Sequence, residues 1–389
     1  MCNRNACCPI CRQDTDLLLE LRFGPKLRLP TEVPIRHCAR DNFLFLAGGS
    51  QSDYDEYYSG VRNDSNHQEV SGGSLRSPVS QMQSQLLLSK LGDSFSSHKK
   101  VLDFGCGEAS LLVELADLFP HSTFVGHDIG PAAKIAVSKA EQLNLGNLVI
   151  CDFEASRAQG PYDLVIASHV MEHLVEFDLL GLLASSLDEQ GLLYIEVPNP
   201  LQYAEHDRLE FLYYFDRLHV NHFTPQSLAR LAAECGLGYI THFEFAFPYR
   251  DGGRYPALGM LFRKGETVTE LQSPNIREEA GRYIDHERLR AKALSATLGT
   301  FDGVLVWGAG DNFYRSLGNG GPLENLENMV ILDRQARQVK IKDRVYQTMD
   351  PEAGIREHSW PVVVTISEGR KDIGRKIHEI DAARRVEFV

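Results

Sequence analysis

Between residues 101 and 198 the chain alternates short, almost continuously apolar runs with stretches of helical periodicity, and few folds accept that rhythm. VLDFG (101–105), TFVGHD (123–128), LVICDF (148–153), YDLVIAS (162–168) and GLLYIEVP (191–198) read as strands. LLVELADLF (111–119), PAAKIAVSKAEQL (131–143) and FDLLGLLASSL (177–187) read as helices. Strands apolar on both faces, with helices between them, predict a parallel sheet covered on both sides, a doubly wound α/β fold. Helical spacing also begins at 81, with Met82, Leu86, Leu87 and Leu91 on one face. A further helix is expected over 224–236, with Thr224 as N-cap and Gly236 as stop. THFEFAFPY and ALGMLFRK are expected to close the sheet.

At 389 residues the chain is too long for one ordinary domain. The polar, Gly/Ser-rich stretch 62–80 reads as a loop or lid. Residues 266–298 are polar and helical, and beyond them GVLVWGAGDNFYRSL, MVILD, VVVTIS and KDIGRKIHEI form a second, smaller alternating unit. A net charge of −13 with no basic patch of useful length argues against nucleic acid as partner. No signal peptide and no apolar run long enough for a membrane helix stand out, so a cytoplasmic location is expected. Of eight cysteines, Cys2, Cys7, Cys8 and Cys11 crowd the first eleven residues and Cys38 follows, a clustering that suggests metal rather than disulfides. Cys106, Cys151 and Cys235 read as small buried residues.

The strand at 101 ends in Asp103, Gly105 and Gly107, and the next closes on Asp128, 25 residues after Asp103. A strand that enters a helix through a G-x-G turn brings backbone N–H groups up to a ligand at the carboxyl end of a sheet. A carboxylate on the next strand is a bidentate acceptor for two ribose hydroxyls. A dinucleotide would call for a third glycine where Ser110 stands, so a nucleoside carrying a cation competes for the site. Asp152 could take an adenine amine, and Phe153 could lie against the ring.

VLDFGCGEAS, FVGHDIG, LVICDFE and YDLVIASHVMEHL, in this order, resemble the successive motifs of class I S-adenosylmethionine-dependent methyltransferases. The resemblance implies that Gly105 and Gly107 face the methionine part of the cofactor, with Asp103 supporting the loop or the amino group. It implies that Asp128 binds the ribose and that Asp152 with Phe153 frames the adenine. Ile129 and Ser168 complete the cofactor-side candidates. For the acceptor side, SHVMEHL offers His169, Glu172 and His173, and FDRLHVNHFTPQSL offers His219 and His222. An imidazole titrates near neutrality, which suits a general base.

CCPIC (7–11) and HCARD (37–41) resemble the N-terminal zinc-binding region of three-part deoxysugar C-methyltransferases. In that family a class I core follows, and a small Rossmann-like domain ends the chain. The resemblance implies 1–75 as a zinc-binding cap, 76–265 as a Rossmann-like methyltransferase core, 266–300 as a helical linker and 301–389 as a second Rossmann-like domain. It implies Cys8, Cys11 and Cys38 as zinc ligands, with Asp41 or His37 as the fourth and Cys7 as a rival. Asp41 stands where the family has a cysteine. Of the family's His-Glu-His stretch only His219 is matched, and Leu218 occupies the glutamate position. In the last unit Phe313 replaces a third glycine, which favours a scaffold that closes over the acceptor rather than a dinucleotide site. Tyr54, Tyr57 and Tyr58 either line the acceptor pocket or pack the small region on the core.

The expected activity is methyl transfer to a small polar metabolite, on carbon of a nucleotide-linked keto-sugar or, alternatively, on oxygen or nitrogen of another small acceptor. His219, His173 and His222 are the catalytic candidates. Rival expectations are a regulatory module that holds the cofactor without chemistry and a nicotinamide enzyme built on the last unit.

Overall fold

A computed structural model describes residues 6–60, 78–92, 98–206, 208–248, 253–265, 271–334, 338–341, 344–366 and 369–389. The loop expected over 62–80 lies outside the described residues as far as 77, and from Pro78 the chain is already helical.

The chain opens with β1 (Asp16–Arg22), β2 (Glu32–Cys38) and β3 (Phe43–Leu46), an antiparallel meander whose inward residues are apolar. The helices α1 (Gln51–Gly60) and α2 (Pro78–Leu91) follow. The central unit then winds through β4 (Lys100–Phe104), α3 (Ser110–Leu118), β5 (Thr123–His127), α4 (Gly130–Gln142), β6 (Leu148–Ile150), α5 (Phe153–Gln159), β7 (Tyr162–Ser168), α6 (Asp178–Ser185) and β8 (Leu187–Pro198). Next come β9 (Asn221–His222), α7 (Pro225–Glu234), β10 (Leu237–Pro248) and β11 (Arg254–Lys264).

These strands form a seven-stranded sheet in the order β10-β11-β8-β7-β4-β5-β6. Strands β4 to β8 are parallel, as their continuous apolar runs predict, and β10 and β11 close one edge antiparallel. The strand order reverses between β4 and β7, the position at which doubly wound sheets open a ligand crevice. Thr224 caps α7 in a capping box with Ser227, and Gly236 ends the turn beyond it at φ 72°, as expected.

One expectation needs correction here, and one loop gains a definite form. LVICDF is strand only through Ile150, because the Asp152 side chain accepts the Ala155 N–H and starts α5, and an N-cap competes with strand continuation. The tail of SHVMEHL is a single 3-10 turn over Met171–His173, fixed by the Asn221 side chain donating to the Met171 and Leu174 carbonyls at 2.9 and 2.6 Å.

The long helix α8 (Ile276–Leu298) leads to β12 (Val304–Trp307), α9 (Asp311–Ser316), β13 (Met329–Leu332), β14 (Gln338–Ile341), β15 (Arg344–Met349), α10 (Pro351–Glu357), β16 (Val362–Val364), α11 (Arg370–Ile380) and β17 (Val386–Phe388). They make a six-stranded sheet, β14-β15-β13-β12-β16-β17, parallel except for β14. One apolar cluster runs through all three sheets, joining Leu21, Val33 and Leu46 to Phe215, Tyr283, Phe313 and Val363. No helix among the described residues is long and apolar enough to cross a membrane.

Candidate active site

The carboxyl ends of β4, β5, β6 and β7 lie side by side, and the cofactor-side candidates sit on them. Gly105 and Gly107 adopt φ 74° and 57°, a region that favours glycine, and a Cβ on Gly105 would meet Val170 Cγ2 at 2.5 Å. The turn is tied down because the Gly105 and Cys106 N–H groups donate to the His127 carbonyl at 2.8 and 2.9 Å. Asp128 accepts the Gly107 N–H at 2.6 Å and its neighbour Ile129's N–H at 2.7 Å, which braces the turn and fixes its own carboxylate at the strand end. Ile129 is exposed beside it.

Asp103 is buried at the floor of the turn, and its Oδ1 has no hydrogen-bond partner among the described residues. Burial, with Asp128 and Glu196 nearby, raises its carboxyl well above the ordinary range. A buried acceptor without a donor fits a cation that arrives with the cofactor. Phe153 stands edge-on to Phe104 with centroids 5.3 Å apart and is half-buried, leaving ring surface beside the crevice. Asp152 is exposed next to it and already caps α5. Ser168, at the end of β7, donates to Glu196 at 2.9 Å. The fold thus brings Asp103, Gly105, Gly107, Asp128, Ile129, Asp152, Phe153 and Ser168 to one rim. A glycine cradle, an orphaned acid and an aromatic face suit S-adenosylmethionine, which carries a ribose, a ring and two cationic centres.

Beyond Ser168 the chain enters a charged cluster. His169 adopts φ 54° and lies between two acids, Nδ1 2.9 Å from Glu172 Oε1 and Nε2 3.3 Å from Glu196 Oε1. Burial works against its charge, yet the two carboxylates outweigh burial and raise it to about 10. Glu196 is also held by Gln83 at 2.6 Å and by the Tyr194 hydroxyl at 2.6 Å. Glu172 is wholly buried. Burial pushes its carboxyl up, and the imidazoles of His173 and His169 reverse that and hold it at about 2.

His173 and His219 face each other with ring centroids 5.0 Å apart, and one donor atom from each of Glu172, His173 and His219 lies within 4.8 Å of the others. His173 Nδ1 is 2.8 Å from the Leu218 carbonyl, which only accepts, so this nitrogen carries the proton and Nε2 keeps its lone pair. The Tyr58 hydroxyl, from α1, lies 2.9 Å from the same Nδ1. Burial lowers His173 to about 4 and lowers His219 as well, so both rings are neutral near pH 7. His222 stands apart from this pair, on β9 in the aromatic core. Its Nδ1 meets the Tyr203 hydroxyl at 3.0 Å, its ring packs edge-on to Phe215, and burial drops it to about 3.

A third group lies in the N-terminal unit. One donor atom from each of Cys8, Cys11, Cys38 and Asp41 lies within 4.8 Å of the others. Cys8 Sγ is 3.0 Å from Asp41 Oδ2, and Cys11 and Cys38 sulfurs are 3.5 Å apart. Hydrogen bonding with Cys38, burial and Asp41 drive the Cys8 thiol far up, while its bond to Cys8 lowers Cys38 to about 7. Arg230 holds the other Asp41 oxygen at 2.7 Å, which fixes the carboxylate's direction. Three thiols and a carboxylate crowded this closely form a donor set suited to tetrahedral zinc. His37 does not join it, and Cys7 is disulfide-bonded, so the expectation of metal over disulfide chemistry does not extend to Cys7.

Glu196, Gln83 and Arg230 were missed as site residues from sequence. Only Glu196 left a signal, a single carboxylate inside the apolar run GLLYIEVP.

Comparison with known proteins gives the chemistry. Residues 81–242 match the methyltransferase domain family. Trans-aconitate 2-methyltransferase of Deinococcus radiodurans is 28% identical over 211 residues, covering 50% of this chain and 80% of that protein. Among solved structures, magnesium protoporphyrin IX methyltransferase from Synechocystis PCC 6803 with bound SAH is 16% identical with a TM-score of 0.40, covering 56% of this chain and 100% of that one. Phosphoethanolamine N-methyltransferase 2 of Haemonchus contortus, in complex with S-adenosyl-L-methionine, is 12% identical with a TM-score of 0.37, covering 48% and 53%. Residues 81–242 are a class I methyltransferase domain, and the protein is an S-adenosylmethionine-dependent methyltransferase.

Proposed function

We propose that this enzyme methylates a small polar metabolite at carbon beside a keto group, with a nucleotide-linked keto-sugar as the acceptor and His219 as the base. The observation that carries the reading is the neutral His173–His219 pair, set beside Tyr58 and a buried carboxylate one turn beyond the cofactor rim. When bound, the cofactor supplies an electrophilic methyl group on a sulfonium. Asp128 holds the ribose, Gly105 and Gly107 approach the methionine part, and Asp103 meets its ammonium. Asp152 and Phe153 frame the adenine, with Ile129 and Ser168 beside them.

His219 would take the proton from the acceptor carbon, whose electron pair would accept the methyl group that the bound sulfonium supplies, with S-adenosylhomocysteine as the co-product. Alignment and exclusion of water do most of the remaining work. His222 is read as a brace for Tyr203 rather than a base.

Cys8, Cys11, Cys38 and Asp41 are read as a structural zinc site within a cap region, 1–75. Residues 301–389 are read as a scaffold that closes over the acceptor. Arg217, two residues before His219, ion-pairs with Asp311 of that unit at 2.7 Å, which supports the second reading.

Screening keto-sugar nucleotides for release of S-adenosylhomocysteine tests the activity. His219→Ala should slow turnover by about 10²–10⁴, and near-normal turnover with saturating acceptor would remove the base. Elemental analysis should find zinc, and a metal-free protein would end the cysteine reading. The relative's name, trans-aconitate 2-methyltransferase, favours a second reading in which a small acid is the acceptor and alignment suffices. Turnover insensitive to His219→Ala would support it.

A further inference from the structure

We propose that Glu172 is the positioning carboxylate of the acceptor-side histidines, clamped by His169 so that it faces His219 and stabilises its imidazolium when it takes a proton. This rests on reading His219 as the base. An imidazole that must accept a proton works better when a fixed carboxylate faces it, because the carboxylate stabilises the imidazolium that forms. The carboxylate near His219 on its own chain segment, Asp216, is engaged with other partners. Leu218 turns its side chain into the apolar core and offers only its carbonyl, to His173. Asp216 is committed elsewhere: it accepts the Leu218 N–H at 2.8 Å and pairs with the Arg315 guanidinium at 3.3 Å.

Glu172 fills that gap from the loop after β7. It is wholly buried, a costly place for a carboxylate that serves no purpose. Its Oε1 lies 2.9 Å from His169 Nδ1 and 3.9 Å from His173 Nε2, while Oε2 has no hydrogen-bond partner among the described residues. His169 cannot swing away, because its other nitrogen is fixed by Glu196, and Glu196 by Gln83, Ser168 and Tyr194.

The charged and titratable groups facing His219 are therefore Glu172, His173 and His169 from this loop, Asp216 from its own segment, and His222 further along the chain. Tyr58 reaches the pair from α1 through His173. The loop's backbone does not depend on the Glu172 carboxylate: Asn221 holds the Met171 and Leu174 carbonyls, and the His169 N–H donates to the Glu196 carbonyl at 2.8 Å.

The test uses the full chain labelled with ¹³C at histidine Cε1, with resonances assigned through His173→Gln and His219→Gln, and follows each imidazole by NMR against pH. Glu172→Gln should lower the His219 midpoint by about one pH unit or more, the usual effect of removing an opposite charge at this range. Glu172→Asp, which keeps the charge, should recover at least half of that shift; a merely structural role would not separate the two variants. S-adenosylmethionine, titrated calorimetrically, should bind all of them within about threefold of the parent. A His219 midpoint unmoved in Glu172→Gln overturns the proposal. If that variant fails to fold, His169→Gln releases the same carboxylate from its other side, and an unmoved midpoint there is equally fatal. Full turnover in a His219 variant would end the base reading and leave these titrations intact, whereas unmoved titrations would leave the base reading standing.

Discussion

The chain contains two glycine turns built on one plan. In each, the first strand of a parallel unit ends in a G-x-G turn, and the acid closing the next strand accepts a backbone N–H from that turn. Asp128 takes Gly107 at 2.6 Å, and Asp333 takes Ala309 at 3.1 Å. What faces each turn differs. Under the first lies Asp103, a buried acid with an unpartnered oxygen, and above it the rim is lined by groups suited to a nucleoside. In front of the second, Asp311 receives the Arg217 guanidinium at 2.7 Å and the Gly24 N–H at 3.2 Å, and Phe313 fills the core behind. The same backbone device makes a cradle where it is left open and a joint between units where the protein supplies its own anion. A glycine turn therefore reports backbone geometry, and its neighbours decide its use.

This contrast can be broken at either end. Arg217→Met should have the largest effect, because it leaves Asp311 without its buried partner; breaking such a pair costs about 3–5 kcal/mol, read as a fall in denaturation midpoint. A change too small to detect would deny that the second turn is a joint. Gly105→Ala forces a side chain into φ 74° and against Val170, and the backbone strain alone is about 1–2 kcal/mol. Thermal melting and calorimetry should show lower stability together with weaker cofactor binding. Asp128→Ala should weaken S-adenosylmethionine binding by about 1–3 kcal/mol, while Asp333→Ala leaves it unchanged; equal losses would erase the distinction between the turns. Gly310→Ala, at φ −84° with nothing within 4 Å of a Cβ, should change stability by no more than about 0.5 kcal/mol.

A fifth test is electrostatic. Asp103 has a folded-state value above its unfolded one, so its contribution to the ligand-free protein falls as pH rises from about 4 through the raised value. A bound ammonium reverses this by favouring the ionised acid. Cofactor affinity should therefore rise with pH across that window, with a proton released on binding. Calorimetry in buffers of different ionisation enthalpy would detect the proton, and Asp103→Asn should abolish its release.

Sequence reading reached the central sheet because continuous apolar runs and helical spacing are local signals: YDLVIAS is strand over Tyr162–Ser168, as expected. It also named the rim residues, since motif order fixes which strand ends carry them. The resemblance to a zinc-binding region pointed to Cys8, Cys11 and Cys38 with Asp41 or His37 as the fourth, and the structure brings Cys8, Cys11, Cys38 and Asp41 together. The meander β1–β3 and the two-residue β9 were not, because each is too short or too irregular for a period to show. His169 and Glu172 were named together from SHVMEHL, but their link to Glu196 was hidden, because Glu196 lies on β8 and only the packing of β7 against β8 makes it their neighbour. Tyr58 was among the tyrosines expected at the acceptor pocket or the packing of the small region, but its contact with His173, 115 positions away, could not be read from sequence.

Strand β9 pairs with β3, Leu44 opposite His222 and Phe45 opposite Asn221, although nearly all of the central unit lies between them in sequence. The N-terminal sheet is thus finished by residues two and three positions beyond His219. Deleting the first fifty residues would strip hydrogen-bonding partners from the segment that follows His219. Recombination between relatives that separates these two segments should therefore lose the β3–β9 pairing and loosen the chain beside His219.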